Sequence, residues 1–273
     1  MLKKIIKKNR TVYHLARKFY SYYSYFRNKS ILDKNKELKN KYLGERCFVI
    51  GQGPSINQQD LTKLKNEYAF ACNHFYLHRQ LNVIKPTFYS LIEPIILNDL
   101  FREEIFPKMI ERINFYASKN SKAVFLFNIQ YKKYIEDNNL FSGNNVYYFL
   151  FSGFISDRMN LDMAKPNPSG MGSIFFLLSL AKYLGFKKIN IIGCDYDYII
   201  AKDEKHFYKE EISCSSLKGE TNLVLVKHLY TYLKRMDIMN KCFQKEGVQV
   251  FNAGIGGMTD TFPRVDYNSL FEA

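Results

Sequence analysis

No uninterrupted apolar run in the sequence approaches about 18 residues, which excludes a spanning helix. The opening Leu-Lys-Lys-Ile-Ile-Lys-Lys lacks the apolar core of a secretory signal, so a cytoplasmic protein is expected. Cysteine is sparse. The five, at 47, 72, 194, 214 and 242, form no Cys-x-x-Cys pair, and three lie in or beside apolar runs where thiols are inert packing. A reducing compartment fits. Two strict phosphate patterns are missing as well. No Lys-Ser/Thr follows Gly51-Gln-Gly-Pro-Ser55, which rules out a P-loop, and Ile56 stands where a dinucleotide fingerprint needs its third glycine.

What is present is enough for a full core. With 273 residues, 47% of them hydrophobic, the chain reads as one large α/β domain with appendages. The net charge of +14 is uneven: residues 1–46 hold 14 Lys/Arg against 3 Asp/Glu, leaving +3 for the rest. Lys3, Lys4, Lys7, Lys8, Arg10, Arg17, Lys18 and Arg27 alternate there with tyrosines, phenylalanines and isoleucines. Such a segment suits an anionic membrane surface. Packing on its own domain is the plain alternative, and RNA binding a third, with no RNA-module motif beside it. Asn28 to Lys41 reads as a linker or exposed helix end.

Cys47-Phe-Val-Ile50 reads as a buried strand running into Gly51, Gly53, Pro54 and Ser55. That turn is either an anion cradle of free amides or an ordinary strand-to-helix connection. A short helix is expected near Asp60 to Leu64. A second strand from Tyr68 ends at Asn73, where open α/β sheets place ligands. His74 and His78 form an i, i+4 pair without a third metal ligand, which favours structural roles. Thr87 to Ile92, Ala123 to Phe127 and Val146 to Leu150 are further strands. Ile95 to Ile113 has helical periodicity, with Pro107 expected to kink or divide it. Gln130 to Asn139 reads as a lid or acceptor-side insertion.

Pro166-Asn-Pro-Ser-Gly-Met-Gly-Ser173 opens the apolar helix 174–184, giving a second anion site or a plain capped core helix. Lys188 to Ile192 is the next strand, and it emerges at Gly193-Cys-Asp-Tyr-Asp-Tyr198. Asp195 and Asp197 form an Asp-x-Asp, which either holds a metal or caps a turn. His206, in a polar loop beyond, is either a general base or a bystander. A long helix runs from Gly219 to Gly247 with His228 on a face expected to pack in the core, and Val248 to Asn252 is the last strand.

Taken in order, these pieces resemble the bacterial sialyltransferases that decorate lipooligosaccharide, with the related flagellin-modifying and pterin-pyrophosphokinase-like proteins. The likeness rests on Gly51-Gln-Gly-Pro-Ser55, Cys72-Asn-His-Phe-Tyr76, Ser169-Gly170 opening a helix, and Lys187-Lys-Ile-Asn-Ile-Ile-Gly-Cys-Asp195. It implies a single Rossmann-like nucleotide-binding domain, a GT-A-like variant with a mostly parallel sheet and a lid insertion. It also implies a CMP-activated sugar as donor, with no metal and no other cofactor.

Carried over residue by residue, the resemblance puts the nucleotide on Gly51, Gln52, Gly53, Ser55 and Asn73, with Pro54, Gly193 and Asp195 completing the binding set. Ser169 and Gly170 would contact the donor. Tyr196, Tyr198 and Tyr208 are the matches for tyrosines that stabilise the departing phosphate, and His206 for the histidine that deprotonates the acceptor. The chain departs from that pattern in three ways. Gln52 replaces an asparagine, the base has no motif of its own, and the basic segment is N-terminal.

The expectation is an inverting, metal-independent transfer of a sialic-acid-like sugar, a nonulosonic acid or Kdo type, from a CMP donor. The acceptor would be a glycan or glycolipid of lipopolysaccharide or capsule, at the inner face of the cytoplasmic membrane. Residues 1–45 would touch the anionic membrane and 46–273 form the catalytic domain, with no nucleic-acid partner and homo-oligomer formation left open. Two rivals stand beside it. One is a metal-dependent sugar-nucleotide transferase or pyrophosphokinase built on Asp195 and Asp197; the other is a non-enzymatic membrane or RNA adaptor.

Overall fold

Among the described residues seven strands form one sheet, and β-branched and aromatic runs of four or five residues build each of them. They are β1 (Arg46–Ile50), β2 (Tyr68–Cys72), β3 (Phe88–Leu91), β4 (Val124–Asn128), β5 (Asn145–Phe149), β6 (Lys188–Ile192) and β7 (Gln249–Asn252). Their order is β5-β4-β3-β2-β1-β6-β7, and every neighbouring pair is parallel. A computed structural model describes residues 10–92, 101–152, 162–167, 172–197, 206–208 and 221–272. The expected α/β Rossmann-like fold is thus present.

Side chains alternate between two cores, as buried parallel strands require. Phe48, Ile50, Ala71, Tyr89, Phe125 and Phe127 pack with Met109, Ile110 and Ile113 of helix α2 (Phe106–Ser118). Cys47, Val49, Phe70, Phe88, Leu126, Phe149 and Ile191 face helix α3 (Ser173–Leu184), joined by Met236, Met239 and Phe243 of helix α4 (Asn222–Lys245). Ten of the twelve residues of α3 are buried, so its nearly continuous apolar sequence leaves no polar face. Helix α1 (Arg10–Arg27) lies at the other end of the chain.

Several local expectations change. Pro107 does divide its helix: a π turn, Phe101–Ile105, gives way to α2, where proline sits at the start and its missing N–H costs nothing. Residues 130–139 form a crossover between β4 and β5, with Tyr131 and Ile135 buried, rather than a cover. The stretch read as a linker is packed. Leu32, Asn35 and Leu38 are buried, Asn35 donates to the carbonyls of Tyr148 (2.8 Å) and Met163 (2.7 Å), and 40–44 takes up the last carbonyls of α3. The packed body therefore begins before residue 46. His228 is exposed on α4, not in the core. Cys47, Cys72 and Cys194 are buried, and burial pushes the Cys47 and Cys194 thiols well up, as expected of packing cysteines; Cys214 lies outside the described residues.

Candidate functional site

The chain's connections reverse direction between β1 and β6, and in open parallel sheets that is where a crevice opens beyond the carboxyl ends. Glycines line it for reasons of contact. Gly51 donates to the carbonyl of Ile192 at 2.7 Å and Gly53 to that of Gly193 at 2.9 Å. A Cβ on Gly51 would strike the Gly193 carbonyl, and one on Gly193, itself at φ +64°, would strike the Ile56 side chain. The two loops cross with no room for side chains.

Asp195 locks them. Its carboxylate accepts from Ser55 N–H at 2.9 Å and Ser55 Oγ–H at 2.6 Å, while Gly53 lies against the same carboxylate. Burial raises its pKa; the two Ser55 bonds and the charge of Arg264 act in the opposite direction. The loop after β7 joins in. Met258 N–H donates to the Asp195 carbonyl (2.7 Å), Thr259 Oγ1 to that of Cys194 (2.7 Å), and Asn252 Nδ2 to that of Thr259 (2.7 Å).

Of the amides in 51–55, those of Gly51, Gly53 and Ser55 are thus already bonded within the protein, and Pro54 has none. Among the described residues Gln52 N–H has no backbone partner. The glycines therefore shape the crevice by close approach rather than by the cradle of free amides considered from the sequence. Gln52 also binds sideways, donating through Nε2 to the Cys72 carbonyl at 2.7 Å.

Asn73 joins three elements. At φ +46°, its Oδ1 accepts from Ile92 N–H (2.9 Å), its Nδ2 donates to Ser173 Oγ (3.0 Å), and its carbonyl accepts from the Tyr89 hydroxyl (2.8 Å). The carboxyl ends of β2 and β3 are so held at the start of α3. Tyr196, also left-handed at φ +51°, stacks on Tyr232 of α4 with centroids 3.4 Å apart. Its hydroxyl lies 3.0 Å from where a Cβ on Gly172, the N-cap of α3, would stand. Gly172 has no side chain with which to cap that helix end, and the positive dipole end of α3 lies beside the Tyr196 hydroxyl.

The second half of the site lies over β1 and β2. Phe207 N–H donates to the Gln52 carbonyl (2.9 Å), and Asn57 Nδ2 to the Phe207 carbonyl (3.0 Å). His206 stacks on Tyr208 (5.1 Å, 9°), which stacks in turn on His74 (5.0 Å, 24°). The Nδ1 of His74 is buried without a hydrogen-bond partner, and desolvation, then the neighbouring His206, hold its pKa down at about 4.

His206 and Tyr208 are therefore brought to the glycine loop, and Tyr196 to the end of α3, with Asn73 between. Ser169, Gly170 and Tyr198 lie outside the described residues. Sequence reading favoured a structural role for His74; its place in the stack depends on the distant 206–208 segment and carries no local signal. Arg264 was also passed over. It donates to the Gly257 carbonyl at 3.0 Å from beyond β7.

Comparison with known proteins follows the fold. The sialyltransferase CstII from Campylobacter jejuni, solved with the substrate analogue cytidine-5'-monophosphate, is 15% identical, with 83% of this chain and 86% of that chain covered and a TM-score of 0.48. The MAf glycosyltransferase from Magnetospirillum magneticum AMB-1 is also 15% identical, over 89% of this chain and 38% of that one, with a TM-score of 0.47. No curated protein sequence matches. The sequence model of the MptE-like family, described as 6-hydroxymethylpterin diphosphokinase MptE-like, matches residues 22–201, and the chain belongs to that family.

Proposed function

We propose that the protein is a glycosyltransferase that moves a sialic-acid-like sugar from a CMP donor to a glycan or glycolipid hydroxyl, with inversion and without a metal. The observation that carries this reading is the placing of His206. Backbone bonds through Phe207 to Gln52 and a stack on Tyr208 hold an imidazole at the mouth of the crevice, where an acceptor hydroxyl must lose a proton. The resemblance carried by the four motifs is what supports a CMP donor.

In this reading His206 takes the acceptor O–H proton as that oxygen bonds to the anomeric carbon. The bond from that carbon to the CMP phosphate oxygen breaks, and the electron pair leaves on the phosphate. The amides at the start of α3 and the Tyr196 hydroxyl meet the new charge, and Gln52 N–H offers a further donor. The Ser169-Gly170 turn and Tyr198 keep their proposed roles on the donor, and Tyr208 orients His206. The setting is the inner face of the cytoplasmic membrane, in lipopolysaccharide or capsule synthesis.

A second reading follows from the family description: transfer of diphosphate from ATP, with magnesium between carboxylates and phosphates. Asp195 weakens it, because both carboxylate oxygens already serve Ser55. Thermal shifts with CMP, UDP, GDP and ATP, in magnesium and in chelator, separate the two. A ligand at about 100 times its Kd adds roughly 2.7 kcal/mol. Stabilisation by CMP in chelator supports the glycosyltransferase; stabilisation by ATP alone, and only with magnesium, overturns it.

A further inference from the structure

Over residues 19–27, helix α1 turns a largely polar side to the protein and a stripe of aromatic side chains to water. Ser21 is buried, and Ser24, Tyr25 and Asn28 are half-buried on the same face, with Asn28 Nδ2 donating to the Ser24 carbonyl at 2.8 Å. On the opposite side Phe19, Tyr22, Tyr23 and Phe26 recur at i, i+3, i+4 and i+7, forming one stripe with Tyr20 beside it. Phe19 is 77% and Phe26 67% exposed. The usual arrangement of a surface helix is inverted, and a contiguous aromatic patch in water marks a surface that something covers.

Charge identifies the occupant. Arg27, Lys29, Lys34, Lys36, Lys39 and Lys41 follow the stripe in sequence and are exposed, with Asp33 paired to Lys29 and Lys36 among them, and residues 1–46 carry +11 of the chain's +14. A second copy would bring the same charge to the contact and be repelled. An anionic bilayer takes both features at once, rings at headgroup depth and cations against lipid phosphates. At 18 residues α1 is an in-plane element, and among the described residues no helix is long and apolar enough to cross a membrane. We infer that α1 is an amphipathic anchor that seats the Phe19–Tyr22–Tyr23–Phe26 stripe in the surface of an anionic lipid bilayer. The inference is independent of the donor and of catalysis.

The test is sedimentation of the full chain with phosphatidylcholine vesicles, with and without about 30% phosphatidylglycerol, at low and high salt. The expected result is binding to the anionic vesicles, weakened at least about tenfold by high salt and by Phe19→Ser/Tyr22→Ser/Tyr23→Ser/Phe26→Ser. These side chains face outward, so the variant should keep its thermal transition. Should it not, the milder pair Tyr22→Ser/Phe26→Ser replaces it, with a loss of at least about threefold expected. No binding of the parent chain to anionic vesicles overturns the inference, as does equal binding by parent and folded variant. So does a dimer in light scattering that the substitutions convert to monomer while vesicle binding is unchanged.

Discussion

Ser55 and Asp195 stand 140 residues apart in the chain and meet through two hydrogen bonds, from the serine amide at 2.9 Å and its hydroxyl at 2.6 Å. One carboxylate thereby fixes the loop after β1 to the loop after β6, and the width of the crevice between them follows.

Asparagine can reproduce this arrangement, with Oδ1 accepting from the amide and Nδ2 donating to the hydroxyl oxygen, and it has no charge to desolvate. Asp195→Asn should therefore keep stability within about 1 kcal/mol, whereas Asp195→Ala, which orphans two buried donors, should cost about 3 kcal/mol. Urea denaturation checks both. CMP should still stabilise the Asn variant; if ligand binding instead vanishes while the fold is intact, Asp195 acts on the ligand.

Gly51→Ala should cost more than about 3 kcal/mol or prevent folding, since its Cβ meets the backbone of Gly193 and neither strand end can yield. Gly256→Ala is the control. It has φ +62° but open space around it, so only the left-handed conformation opposes it, at about 1–2 kcal/mol. Comparable losses at the two sites would show that the loops separate easily.

Under the proposed function, His206→Ala should lower turnover by about 10²-fold or more and leave the CMP-induced thermal shift in place. His74→Phe preserves a ring for Tyr208 to stack on and should retain most of the activity. A larger loss in the His74 variant than in the His206 variant would move the base to His74.

His78 should make stability depend on acid. It stacks on Phe75 with rings 5.1 Å apart, its Nε2 is buried without a partner, and desolvation pushes its pKa down to about 4. Between about 6.5 and 4 the unfolded chain binds the proton and the folded one does not. Stability is therefore complete above about 6.5 and falls as pH drops toward 4. His78→Phe removes that term, so its melting temperature should gain on the parent's between about pH 7.5 and 5; a constant difference would exclude His78 as a source.

The strands were legible because short apolar runs ended in glycine, asparagine or proline, and each of the seven lies within about two residues of where its run placed it. Helix α3 could be read as buried from its nearly continuous apolar sequence. The site was legible by address more than by contact. Gly51 and Gly53 were recognised as a loop at a strand end, but their amides bond the carbonyls of Ile192 and Gly193 at the end of β6, a pairing that local sequence does not reveal. Tertiary contact also decided the opposite outcomes at 28–41 and His228. Asn35 finds carbonyls more than a hundred residues away, while His228 shares α4 with core residues yet falls on its outer turn.

The place of β1 has a consequence in time. Its partner β2 begins 18 residues after β1 ends, but β6 leaves the ribosome only after most of the chain, which at about 5–20 residues per second means roughly 7–28 s for 140 residues. Until then one edge of β1 has no strand to pair with and invites other chains to do so. A nascent chain that stops before β6 can pair β1 through β5 but has no crevice, so the ligand can reward only a molecule whose synthesis has passed Asp195.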